Sequence, residues 1–332
     1  MNRILLAFIM LLHVITISAD NKAQLLKLDE AIEQVEKLQT KKMMKIDMLR
    51  NSLRRSANDN ERMSLCYDIF NEFHVLQFDS ALHYIDKVHE MATRTGNRHI
   101  REMAIMDKAE LLGMGGFYPE AIELLDKEPL DSTDNKVMFK SYIAHFRIYL
   151  YWADYCNDAV FAPIYRERAS KNLETAMRFI GASPATEYYR GEYYIYVKHD
   201  NRNALECYFR VLRSTPHDAR EYAMAANAVA HNYSAKGDME HYEYYLIEAA
   251  HSDLLNCTRE NMALQDLAMF LYQQGEDNME RAERYINLAM EDAKLFNNRL
   301  RIIEISQKLP VIVGAYKQLM KRRNTMLRIS TF

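Results

Sequence analysis

Small residues return about every forty positions along this chain, each within a stretch whose apolar residues keep helical spacing. The clearest stretch runs from Gly191 to Asp218, GEYYIYVKHDNRNALECYFRVLRSTPHD. Tyr193 and Tyr196 sit on a first helix that the pattern ends near Lys198. His199 to Arg202 make a polar turn, and Ala204, Tyr208 and Val211 share one face of a second helix starting about Asn203. Pro216 stops that helix, because proline has no N–H to give its hydrogen-bond ladder. Two antiparallel helices cross closely only where the crossing residue is small, and Ala204 meets that need. One such hairpin leaves an apolar face open, so it must stack on others of its kind.

Others are present. Equivalent small residues are Ala81 (FDSALHYIDKV), Ala121 (GFYPEAIELL), Ala169 (YRERASKNLETA) and Ala282 (MERAERYINLA), and Tyr242 takes the place in GDMEHYEYYLIEAA. Their spacings of 40, 48, 35, 38 and 40 residues are mostly longer than the 34 or so of a tetratricopeptide repeat (TPR). Longer helices or looser connections are therefore expected. Gly116, Gly237 and Gly275 fall between paired helices, where a left-handed residue is often required. With 9 Gly and 6 Pro in 332 residues, turn-forming residues are under half the roughly 12% of an average protein. The expected fold class is all-α, a TPR-like α-solenoid of about six helical hairpins in one domain.

The ends differ from the middle. Arg3, the apolar run Ile4 to Leu12 and the small-residue exit Thr16-Ile17-Ser18-Ala19 read as a secretory signal peptide. The run is interrupted by His13 and Asp20, short of the roughly 20 apolar residues of a membrane-spanning helix. Cleavage is expected after Ala19 or Ser18, with a retained anchor as the alternative. Removing residues 1–19 takes away one charge, Arg3, and moves the net charge from −3 to −4. Residues 20–60 read as N-terminal capping helices, 61–297 as the repeats, and 298–332 as a C-terminal helix that Pro310 kinks or restarts. Its basic end, Lys317, Lys321, Arg322, Arg323 and Arg328, suits a solvated helix end, anionic lipid head groups or a partner surface.

Several chemistries are disfavoured. A pI near 6.4 gives no sign of nucleic-acid binding. No zincin, nucleophile-elbow or phosphate-loop motif occurs, and Gly113-Met114-Gly115-Gly116 lacks the following Lys-Ser/Thr. His83 and His89, six apart, do not share a helical face. Cys66, Cys156, Cys207 and Cys257 form no C-x-x-C pair and read as small residues buried within helices, with pairing the alternative for an exported chain. No cofactor, metal or catalytic residue is expected. The repeat register instead puts Tyr189 and Tyr194, Asn227 and His231, and Asp266 and Phe270 on the inner face of the first helices, which lines a solenoid's concave groove. Aromatic anchors with amides and a carboxylate suit an extended peptide or a partner helix. The plain alternative is that these six side chains pack or face water.

Four segments carry a family resemblance: QFDSALHYIDK (Gln77 to Lys87), FAPIYRERA (Phe161 to Ala169), EYAMAANAVAHNYSAKGD (Glu221 to Asp238) and, most specifically, EDAKLFNNRLRIIEISQKLPVIVGAYK (Glu291 to Lys317). From the signal onward the chain resembles the exported part of a Bacteroidetes family that joins a TPR region to a transmembrane helix and a cytoplasmic helical regulatory part. The resemblance implies a periplasmic, inner-membrane-associated sensor region. Met320 to Phe332 holds no apolar run long enough to span, so a sensor-only version or a truncated product is expected. The expected function is a non-catalytic protein- or peptide-binding scaffold. The alternative is an assembly scaffold that self-associates, as a homodimer, through its terminal helices.

Overall fold

A computed structural model describes residues 20–127, 130 and 133–330. The expected signal segment lies outside them, as does the side chain of Arg328. The described residues form helices and no strands. Helix α1 covers residues 20–33 and α2 covers Val35–Arg55. Six hairpins follow: α3 (Asp59–Phe73) with α4 (Phe78–Arg94), α5 (Arg98–Met114) with α6 (Tyr118–Lys127), and α7 (Asn135–Cys156) with α8 (Phe161–Ala176). The others are α9 (Pro184–Tyr193) with α10 (Asn201–Ser214), α11 (Arg220–Ser234) with α12 (Met239–Asn256), and α13 (Met262–Gln273) with α14 (Met279–Phe296). Helix α15 (Arg299–Ser330) closes the series.

The small residues mark the second helix of every hairpin. Ala81, Ala121, Ala204 and Ala282 each occupy its fourth position, and all are fully buried. Tyr242 holds the same position in α12, half-buried against its core. Ala169 is ninth in α8, because that helix begins earlier, at Phe161; this extension is the source of the spacing of 48. Backbone geometry supplies the turns. Gly116, Gly237 and Gly275 have φ of 85°, 75° and 109°, a region where a Cβ is penalised. Asn157 and His199 take left-handed conformations in two of the other three turns, and the turn between α3 and α4 has no residue of positive φ. Five of the six first helices begin on side-chain caps, α11 being the exception: Asn58, Asn97, Asp134 and Asn261 accept hydrogen bonds from following backbone N–H groups, and Ser183 forms a capping box with Thr186.

Three sequence expectations need correction. Cys156, the last residue of α7, is only half-buried. Cys257 is buried and free but lies outside a helix, as the left-handed cap (φ 60°) that ends α12. Helix α15 runs through Pro310 without restarting. Its first half is held from the side: Ile305 and Ile312 are buried in the core shared with α11 to α14, and Leu309 packs on that core. Among the described residues no helix is long and apolar enough to cross a membrane.

The solenoid returns on itself. Phe78 of the first hairpin meets Phe296 of the last edge to face, ring centroids 6.3 Å apart. The Arg259 N–H donates to the Val75 carbonyl at 2.9 Å, and its guanidinium to the Leu76 carbonyl. The Arg299 guanidinium lies 4.2 Å from the centre of the Phe117 ring. The N-terminal helices add a strap. Helix α2 packs on α3, while Leu25, Leu28 and Ala31 of α1 are buried in the core of the last hairpins. There Asp29 accepts hydrogen bonds from Arg281 Nε at 2.8 Å and the Tyr285 hydroxyl at 2.6 Å, and pairs with Arg284. First and last hairpins thus face each other around an interior.

Candidate functional site

That interior is a cavity of about 400 Å³, within the size range of binding pockets. Its walls come mostly from first helices, the concave side of the solenoid, with Asn201 and Tyr208 of α10 and Asp253 of α12 added from second helices; no residue of the first two hairpins lines it. Helix α11 contributes Arg220, Ala223, Met224, Asn227, Ala228, His231 and Asn232, and its C-cap Ala235 follows. That is a stripe at three- and four-residue steps along the entire helix, about 22 Å at 1.5 Å per residue. Helix α7 adds Arg147, Tyr151 and Asp154, and α9 adds Tyr188, Tyr189 and Glu192. The loop into α13 supplies Thr258 and Glu260, and α15 supplies Arg301. His231 and Ala235 are exposed at one end of the stripe, whereas Asp253 and Arg301 at the other are buried.

Buried charge dominates the wall. Arg147 pairs with Glu110 at 2.7 Å and donates to the Tyr151 hydroxyl. Arg301, 8% exposed, pairs with Glu304 at 2.7 Å and reaches Glu260 at 3.8 Å. Arg220 makes its hydrogen bond to His74 of the first hairpin. Burial, then the neighbouring Arg220 charge, hold the His74 imidazole well below its ordinary range and so neutral. Burial likewise pushes the Asp253 carboxyl well above the usual carboxylate range, despite Arg220 beside it. Three polar atoms on the wall have no partner among the described residues: Asn227 Oδ1, Asn232 Oδ1 and Arg301 Nε. Since buried polar atoms are normally hydrogen-bonded, these are positions a ligand could satisfy.

Glu192 yields a pH test. It accepts a hydrogen bond from the Tyr208 hydroxyl at 2.6 Å, and burial raises its pKa from 4.5 to about 6. A carboxyl raised on folding keeps its proton in the native chain at pH values where the unfolded chain has lost it. Native stability then falls as pH rises from about 4.5 to about 6. Glu192→Gln keeps an acceptor for Tyr208 and removes the ionisation, so it should stabilise by about 2 kcal/mol at pH 8. The gain should vanish below pH 4, as measured by urea unfolding at both pH values; an equal effect at each would rule out this origin.

Tyr189, Asn227 and His231 line the cavity. Tyr194, Asp266 and Phe270 are not on its wall. Tyr194 is five residues after Tyr189, about 140° further round the helix, and it opens the π-helical turn Tyr194–Lys198; it packs on the α10–α11 core. Asp266 is covered by α15: Lys308 pairs with it at 2.8 Å, and His231 approaches from the other side at 3.4 Å. Burial opposes ionisation of Asp266, but His231 and Lys308 outweigh it and hold the carboxyl below its usual range. Phe270 is buried against Tyr242, edge to face. The arginines and Glu192 escaped the sequence reading. Stepping the Asn227–His231 pair back by three or four residues reaches Ala223, Met224 and Arg220, and Arg147 is a lone cation in an apolar run.

Residues 32–307 match the family described as the SusR N-terminal TPR domain. The chain belongs to that family. The match spans α2 to the first half of α15, and so covers all six hairpins and the whole cavity wall. TPR domains of this kind are protein-interaction scaffolds. No curated protein matches the chain. Among the described residues no group of three or more His, Cys, Asp or Glu side chains is placed to hold a metal ion.

Proposed function

We propose that the chain is the exported, periplasmic recognition part of a membrane-associated regulator, and that it binds a protein or peptide partner without catalysis. The partner's chain segment enters the axial cavity and is held by shape and hydrogen bonds. The observation that carries this is the pair of unpartnered amide oxygens, Asn227 Oδ1 and Asn232 Oδ1, on the wall of a cavity of about 400 Å³. Both accept hydrogen bonds, and a peptide backbone offers an N–H at nearly every residue.

Purified protein titrated calorimetrically with a pool of random pentapeptides tests this reading. Saturable binding, weakened in Asn227→Ala and Asn232→Ala, is expected. Absence of binding, together with a concentration-dependent dimer in light scattering, would favour the self-associating scaffold instead. Met326 and Leu327, more than 60% exposed on the far end of α15, give that alternative its surface, and the basic residues among them would also serve contact with an anionic membrane. N-terminal sequencing of the periplasmic fraction tests export, with Asp20 or Ala19 as the expected first residue.

A further inference from the structure

We propose that the Arg220 end of the cavity receives a free carboxylate, so that the segment bound is the C-terminal end of a peptide and not an internal stretch. This rests on the peptide-binding reading above and adds to it the direction and chemical end of the ligand.

The cavity is polar at one end in a particular way. Arg147 and Arg301 are each neutralised by a carboxylate within 2.7 Å. Arg220 differs: among the described residues its hydrogen bond goes to His74, and no carboxylate stands within ion-pair distance of it. Its charge is therefore left without an ion-pair partner on a half-buried side chain of the cavity wall, where an arriving carboxylate would form a charge-assisted, bidentate pair with the guanidinium.

The first hairpin covers the same end. His74 stands against Arg220, and its neighbour Val75 accepts from the Arg259 N–H, which ties that hairpin to the loop before α13. A chain that enters past exposed His231 and Ala235 therefore runs toward Arg220. Spacing along α11 agrees with an extended ligand. Asn227 and Asn232 stand seven and twelve residues from Arg220, about 10 and 18 Å along the helix. These offsets correspond to about three and five residues of extended chain at 3.3 Å each. Asn232 is 5% exposed and its Oδ1 is unpartnered, an independent sign that the wall is built to receive a donor. A carboxylate on Arg220 then brings backbone N–H groups to the depth of each amide, the two amides standing about 140° apart round the helix on two sides of the bound segment.

Two pentapeptide pools of identical composition, one with free C-terminal carboxylates and one C-terminally amidated, decide the matter by calorimetry on the unmodified protein. The free-acid pool should bind about tenfold or more tighter, and Arg220→Gln should erase the difference while still binding the amidated pool. Equal affinity of the two pools for the unmodified protein would overturn the carboxylate assignment and leave the peptide reading standing. Binding of neither pool would overturn both. The unmodified-protein comparison holds even if Arg220→Gln fails to fold.

Discussion

Ala204→Arg should unfold the central hairpin. Ala204 is fully buried in a cluster with Tyr208, Val211, Ala225 and Val229, so the new side chain overfills a close helix crossing and brings a charge into an apolar cluster. Overpacking costs about 1–3 kcal/mol, and an uncompensated buried charge about 3–5. Together these approach the whole stability of an ordinary domain. The far-ultraviolet melting midpoint should fall by 10 °C or more on the usual scaling. A melt within 2 °C of the parent would mean that Ala204 does not lie in a crossing.

Gly191→Val is the second large effect, at a position where the spacing of alanines gives no hint. Gly191 lies in α9 opposite the Tyr208 ring, and a Cβ built on it would stand 2.4 Å from Tyr208 Cε1. The ring cannot step aside, because Tyr208 is 1% exposed and its hydroxyl is bound to Glu192. Valine adds two methyl groups to that clash, and about 3 kcal/mol of destabilisation is expected from overpacking. The double variant Gly191→Val with Tyr208→Ala should recover part of the loss, since it opens the space; urea unfolding of the four chains of the cycle measures the coupling. Additive effects would show that the two residues do not meet.

Those two residues also show where the sequence speaks and where it is silent. Ala204 was legible because a close crossing demands a small side chain, and that demand repeats with each hairpin. Gly191 was not, since one glycine within a tyrosine-rich helix has no repeat partner to compare with. The left-handed turns at Gly116, Gly237 and Gly275 could be read from residue type, whereas the same conformation at Asn157 and His199 is carried by residues that commonly do other things. Closure of the solenoid was not legible: the Arg259 to Val75 link is backbone to backbone, and the Phe78–Phe296 and Arg299–Phe117 contacts join positions that no repeat spacing relates.

The site was half legible for similar reasons. Asn227 and His231, four apart, share a face in any α-helix, and they do line the cavity. Tyr189 and Tyr194 do not share one, since five residues along an α-helix is about 140° round it. Asp266 and Phe270 do share a face, but α15 and Tyr242 cover it, a consequence of how the last hairpin is capped. Periodicity reports which residues point the same way. It does not report what else has packed there.

Closure is the claim on which the cavity, its carboxylate end and its size all depend. Spin labels on exposed Gln77 and Asn297, with the four native cysteines replaced, measure it directly by pulsed dipolar spectroscopy. Their chain neighbours Phe78 and Phe296 touch in the folded protein. A single narrow distance below about 25 Å is therefore expected, allowing for the label arms. An open array of six hairpins, each advancing about 10 Å by helix packing, would separate the two labels by about 50 Å. A distribution centred there would contradict the closed interior.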